Sequence, residues 1–281
     1  MASGFLTDIQ LSYNQFTRTE KKIADYVIKN SAQVLLMSIS DLADACQVAD
    51  ASVHRFCRKA GAKGYQEFKM KLSISLASNE KPDSMADTKY PGLEYALDEL
   101  LQNNINALKE TRRLADCHEI ERTVRMMEDA RRIYFFGIGD SLLAAQAARN
   151  KFLRITNKVD CIQDPHMQAM VASMATKEDL IIFLSYSGST KDNIYVAQIA
   201  QESGVRMVAI SRFLKSPLTN YTDVLLLCGS DEGPLEGGSM GVKMCQMFII
   251  DILFYEYYRR NHEISKENNH KTSRAVVEKL F

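Results

Sequence analysis

Apolar positions recur at two different periods along this chain, and the change from one to the other divides it. Ile23, Ala24, Val27 and Ile28 keep a helical spacing. Ahead of them, Thr17-Arg18-Thr19-Glu20 has the form of a capping box, a hydroxyl at the N-cap and a carboxylate three residues on. Shorter helical patterns cover 40–46 and 50–60, joined by Gln47-Val48-Ala49, and no strand pattern accompanies them. The stretch from Ala77 to Gly92 (ASNEKPDSMADTKYPG) carries two prolines and scattered charge, which predicts a linker. Beyond it, Leu93, Leu97, Leu100, Leu101 and Leu108 mark a long amphipathic helix. Short apolar runs then appear at 133–136, 159–162, 180–184, 207–210 and 224–227, with helix-like segments between most of them. That alternation implies crossover units and a parallel sheet covered on both faces. The expected fold class is therefore α/β: an all-α helix-turn-helix domain (1–76), a linker (77–92), and a five-stranded parallel α/β/α domain of flavodoxin-like order with a leading helix (93–260). A C-terminal tail (261–281) follows.

A length of 281 residues, 46% apolar and 25% charged, is that of a globular protein able to bury a core. Formal charge balances to zero, so no global field dictates a partner; its distribution says more. Between Asp50 and Leu72 lie Arg55, Arg58, Lys59, Lys63, Lys69 and Lys71 against only Asp50 and Glu67, a local net of +4. The N-terminal MASGFLTDIQ lacks the basic start and apolar core of a signal peptide, and the greasiest stretch, 244–258, is broken by Gln246, Asp251 and Glu256. A cytoplasmic protein without membrane association is expected. Six cysteines show no paired spacing, which favours buried thiols over disulfides or zinc; no metal and no cofactor are expected.

Two loops carry the candidate chemistry. In the flavodoxin-like order, ligands bind beyond the carboxyl ends of the first and third strands, where the strand order reverses. The first strand runs into Gly137-Ile138-Gly139-Asp140-Ser141, the third into Ser185-Tyr186-Ser187-Gly188-Ser189-Thr190, and a helix follows each. Glycine (Gly139, Gly188) permits close backbone approach, hydroxyls donate, and a helix N-terminus favours an anion, so the pair would cradle a phosphate without a metal. Serine and threonine also cap helices without any ligand. "GIGDSL" lacks the third glycine of a dinucleotide fingerprint, which disfavours a nicotinamide or flavin site.

The basic segment fits helix-turn-helix spacing. Leu42, Val48, Val53 and Phe56 would form its small core, with Ala43 at the helix crossing. Ser52, His54, Arg55, Arg58 and Lys59 are left outside, which suits insertion into a major groove of double-stranded DNA, with Lys63, Lys69 and Lys71 set to meet phosphates. A solvated helix face is the plain alternative. Asp50 is expected to cap the second helix.

These residues carry a resemblance. "GIGDS" together with "SYSGST" resembles a SIS (sugar isomerase) domain, over about residues 120–260, and the match implies phosphate-binding roles for Ser141, Ser185, Ser187 and Thr190. "FTRTEKKIADYVIKN" followed by "SVHRFCRKAGAKGYQEFK" is similar to the N-terminal domain of RpiR-type bacterial transcription regulators, a family that joins this domain to a SIS domain. Ala49-Asp50 departs from the serine commonly found there. The resemblance implies a homodimer formed through the SIS domain, an operator DNA partner and a phosphosugar effector. Scattered pocket positions look like the family's sialic-acid-catabolism repressors, which would imply N-acetylmannosamine 6-phosphate.

An isomerase with a helical appendage is the rival. Aldose–ketose isomerisation needs a base between two carbons and an acid to open the ring. Candidates are Glu232, Glu236 and His166. Glu236, in the loop 229–238, either reaches the crevice or is solvated; His166, in "DPHMQ", bonds a sugar hydroxyl or is structural. Lys243, where the family usually has arginine, contacts the phosphosugar or pairs with Glu236. A regulator requires none of this chemistry, only differential binding, and a sensor that catalyses nothing is expected.

Overall fold

The computed structural model describes residues 5–79, 92–229 and 240–277. It divides into a helical unit ending at Asn103 and an α/β unit beginning at Asn104.

The helical unit contains α1 (Phe5–Leu11), α2 (Arg18–Lys29), α3 (Ser31–Leu36), α4 (Ile39–Cys46), α5 (Asp50–Lys59) and α6 (Tyr65–Asn79). The capping box at α2 forms as its spacing implied: Thr17 N–H donates to Glu20 Oε2 at 2.7 Å and Glu20 N–H to Thr17 Oγ1 at 3.4 Å. A second box, Ser38 with Asp41, starts α4. Ile23, Ala24, Val27, Leu42, Ala43, Val53 and Phe56 are buried in one core, with Val48 partly buried against it. Three aromatic edges, Phe16 on Phe56, Phe56 on Phe68 and Phe5 on Phe68, tie α1, α5 and α6 together. Gln47 adopts a left-handed backbone (φ 56°) that reverses the chain between α4 and α5.

The linker expected at 77–92 begins inside α6, which runs to Asn79, and 80–91 lie outside the described residues. α7 (Leu93–Leu114) crosses the division between units, and α8 (Cys117–Asp129) follows. The sheet comprises β1 (Ile133–Gly137), β2 (Val159–Asp160), β3 (Leu180–Leu184), β4 (Arg206–Ser211) and β5 (Val224–Leu227), all parallel, in the order β2-β1-β3-β4-β5. Crossover helices are α9 (Asp140–Phe152), α10 (Pro165–Met174) and α11 (Lys191–Glu202); α12 (Met240–Arg260) and α13 (His262–Val277) complete the unit. β3 is buried at every position, the signature of a strand covered on both faces. Only β2 falls short of its expected span. It pairs at Val159 and Asp160 alone, after which Cys161 N–H turns to the Asp160 carboxylate and the chain leaves for α10. β1 and β3 are adjacent, so the order reverses between them and their carboxyl ends open a crevice.

All six cysteines are free thiols; Cys117 is exposed and the others are buried. No helix among the described residues is long and apolar enough to cross a membrane.

Candidate functional site

Both loops end a buried strand and start a helix. Gly139 is the N-cap of α9 with φ 60° and ψ −131°, a conformation that disfavours any side chain. A Cβ at Gly137 would stand 2.6 Å from the Ser141 carbonyl oxygen, so the loop closes this tightly only with glycine there. In the second loop Gly188 has φ 59°, and a Cβ would fall 2.1 Å from Ser216 Oγ. The loop is pinned by backbone bonds from Gly188 N–H to Ser185 O, Arg212 N–H to Tyr186 O and Leu218 N–H to Gly188 O.

The hydroxyls divide into two groups. Ser189 is used locally, its hydroxyl donating to Ser187 O and its amide to Ser187 Oγ. Thr190 is the N-cap of α11, yet its side chain makes no capping bond. Ser185 is 2% exposed and its Oγ has no hydrogen-bond partner among the described residues. A buried hydroxyl left unmet costs about 1–3 kcal/mol, so the loop is built at a price that capping alone would not require. Further buried polar groups lie nearby that the sequence pattern did not single out. Gln168, on α10, donates to Gly137 O and Ile162 O but leaves its own Oε1 without a partner among the described residues. Asn193, in the first turn of α11, is 1% exposed with Oδ1 likewise unmet. Gln246, fully buried on α12, donates to Ser141 Oγ at 3.3 Å. The one signal available beforehand was amides interrupting apolar helical faces.

Lys243 Nζ lies 2.9 Å from Asp140 Oδ2, so its described ion pair is to the first loop. Glu236 and Glu232 lie outside the described residues. His166 is exposed in the first turn of α10, whose N-cap Asp164 accepts from Met167 N–H. Ser141, Ser185, Ser187, Thr190, Gly139 and Gly188 come together at the β1/β3 switch point, and Lys243 borders them through Asp140.

In the helical unit, α5 exposes His54, Arg55 and Arg58, with Ser52 half-buried and accepting from Arg55 Nη2 at 3.0 Å. Lys63 is exposed. The other lysines of the basic segment make bonds within the fold, Lys59 while still exposed. Lys59 Nζ donates to Gln15 O at 2.7 Å and Glu20 Oε2 at 2.8 Å. Burial pushes the Glu20 carboxyl up, but its bonds from Lys59 and Thr17 outweigh this and leave it below the usual carboxylate range. Lys71 donates to Gly61 O and pairs with Glu67. Lys69, expected to reach a DNA phosphate, does not: it is 5% exposed, its ammonium donates to Leu35 O and Met37 O at the end of α3, and burial lowers it to about 8. The two carbonyls that accept from its ammonium satisfy the charge where it is buried and hold it there. Asp50, expected as the cap of α5, is instead its first helical residue. Ala49 occupies the cap and the Asp50 carboxylate accepts from Ser40 Oγ at 2.7 Å, because α4 offers a nearer donor.

Comparison with known proteins agrees with this architecture. Residues 3–79 match a helix-turn-helix domain of the rpiR family, and residues 126–255 match a SIS domain. An HTH-type transcriptional regulator of Haemophilus influenzae is 35% identical over 99% of this chain and 98% of its own. The HTH-type transcriptional regulator HexR of Pseudomonas aeruginosa is 33% identical over 89% of this chain and 87% of its own. The solved structure of Vibrio vulnificus NanR complexed with ManNAc-6P is similar at 28% identity, with a TM-score of 0.87 covering 98% of this chain and 99% of that one. With the helix-turn-helix unit, the five-stranded sheet and both loops in place, this chain belongs to the RpiR family of HTH-type transcriptional regulators that carry a SIS domain.

Proposed function

We propose that this regulator is a cytoplasmic, homodimeric repressor of sugar or amino-sugar catabolism whose SIS domain senses a phosphosugar, with N-acetylmannosamine 6-phosphate the first candidate. The observation that carries the proposal is the Ser185 hydroxyl, buried and without a partner among the described residues, beside a Thr190 that does not cap its helix. Hydroxyls withheld from the fold ahead of the α11 N-terminus, with the α9 N-terminus at the adjacent strand end, suit an anion that accepts several hydrogen bonds. The NanR likeness over nearly the whole chain supports the choice of sugar, and Ser141, Ser187, His166, Glu236 and Lys243 are the further residues assigned to the ligand. Sensing requires differential binding to two arrangements of the dimer and no bond making, so no catalytic residue is assigned.

Ser52, His54, Arg55, Arg58, Lys59 and Lys63 are assigned to the operator, with Arg55 and Arg58 foremost because both are exposed on α5. On α7, Leu93, Leu97, Leu100 and Leu101 are all more than half exposed in a single chain, which supports pairing with a second copy.

The test is a thermal-shift screen of sugar phosphates on the full-length protein, joined to DNA binding. A true effector at a hundred times its dissociation constant adds about 2.7 kcal/mol of stability. Arg55→Ala with Arg58→Ala should abolish operator binding and leave that shift intact. Turnover of a sugar phosphate at ordinary enzymatic rates would overturn the sensor reading in favour of an isomerase.

A further inference from the structure

Helix α12 is buried along Val242, Cys245, Ile249, Ile250 and Leu253, and one carboxamide, Gln246, is enclosed with them at 0% exposure. An amide in such surroundings is retained only where it makes a needed hydrogen bond. Its Nε2 donates to Ser141 Oγ at 3.3 Å, and its Oε1 has no partner among the described residues. One turn earlier on the same helix, Lys243 pairs with Asp140 at 2.9 Å. Two α12 residues three apart thus address two consecutive residues in the first turn of α9, one by charge and one by hydrogen bond.

A serine hydroxyl has one proton and two lone pairs. With one lone pair accepting from Gln246, the Ser141 proton is directed away from α12, and no described acceptor takes it. Ser141 lies in the first turn of α9, where the helix leaves its own amide protons unpaired and a positive field faces the crevice. Lys243 meanwhile neutralises the Asp140 carboxylate that would otherwise repel an anion from this loop.

We propose that Gln246 is a positioning residue for the phosphosugar site, holding Ser141 as a hydrogen-bond donor toward the ligand phosphate. It does not touch the ligand. It sets which way the serine proton points, and so favours a group that only accepts hydrogen bonds. The proposal rests on the phosphosugar reading given above and adds a residue and a mechanism to it.

The experiment uses full-length wild type, Gln246→Met and Gln246→Glu, titrated calorimetrically with whichever sugar 6-phosphate gives the largest thermal shift on wild type. Methionine keeps the volume and removes the donor. Glutamate at pH 8 reverses the bond, so that Ser141 donates to it and is lost to the phosphate. Losing the Ser141 bond to a charged group predicts about ten-fold to a hundred-fold weaker binding for Gln246→Glu, whereas Gln246→Met leaves the serine proton but frees it among about three staggered orientations, which predicts about three-fold weaker binding. Protonating the buried glutamate restores a donor. Its affinity relative to wild type, measured at each pH so that titration of the phosphate cancels, should therefore climb back toward unity as pH falls to 5. A packing role alone would leave Gln246→Met at wild-type affinity and give Gln246→Glu a loss independent of pH; either result overturns the inference while wild-type binding preserves the phosphosugar reading. If no sugar phosphate binds wild type, that reading falls and the positioning role falls with it. Should Gln246→Glu fail to fold, the methionine variant decides: wild-type affinity refutes, about three-fold weakening supports.

Discussion

Replacing Gly188 by alanine tests the geometry of the serine loop most directly. The change places a Cβ 2.1 Å from Ser216 Oγ and 2.6 Å from Ser216 Cβ. The hydroxyl can rotate away, but the Ser216 Cβ is fixed to a buried backbone (Ser216 is 1% exposed), so main chain must shift. Overpacking of this kind costs about 1–3 kcal/mol. Holding alanine at φ 59° adds about 1–2 kcal/mol. The sum, about 2–5 kcal/mol, corresponds in a unit of this size to a melting temperature lower by about 4–20 °C. The steric and backbone parts are separable, because only the first depends on Ser216. Ser216→Gly removes both clashing atoms. In the double variant about 1–3 kcal/mol should return as a favourable coupling, leaving the backbone cost. Denaturant unfolding of wild type, both single variants and the double variant measures the cycle. Gly188→Ala as stable as wild type, or a cycle with no coupling, would refute the loop geometry on which the phosphate site depends.

Ser185→Ala should leave the unliganded protein as stable or more so by about 1–3 kcal/mol, since an unmet buried hydroxyl disappears, while weakening sugar-phosphate binding about ten-fold or more; thermal melts with and without ligand show both. Lys59→Met should lower the stability of the helical unit by about 1 kcal/mol, through loss of its bonds to Glu20 and Gln15 O, and weaken DNA binding less than Arg58→Ala does; unfolding and DNA titration give the comparison. Lys69 makes a pH prediction. Its folded value of about 8 lies below the unfolded value near 10.5, so the unfolded chain binds more protons between them and stability gained from this residue rises with pH across that window. Relative to Lys69→Met, wild type should therefore gain on the order of 3 kcal/mol from pH 8 to 10.5. Burial pushes the Cys46 and Cys57 thiols up to about 11 and about 12, which destabilises both proteins alike and cancels in the difference. A difference that stays flat with pH would show that Lys69 is not buried in solution.

Features that depend on neighbours in the chain were legible from residue order. The Thr17–Glu20 box, the periods of the helices, the strand cores and the two glycine–serine loops all arise from contacts a few residues apart, so spacing alone reveals them. Placement of the loops on either side of a switch point also followed, because alternating strands and helices admit few topologies. Features that depend on burial were not legible. Lys59, Lys63, Lys69 and Lys71 look alike in a basic run. Yet Lys63 is exposed, Lys59 and Lys71 are tied to acids and carbonyls, and Lys69 is enclosed beneath α3. β2 ended early because an edge strand stops where its one neighbour stops pairing. Asp50 turned to Ser40, ten residues away, and Gln246 reached Ser141 across more than a hundred. A hydrogen bond or a buried charge is settled by what stands opposite it in space, and that partner is absent from any local pattern. Residue order therefore sufficed for the two kinds of module and the phosphate loops, whereas packing across the fold chose which cations stay outside and which hydroxyls stay unmet.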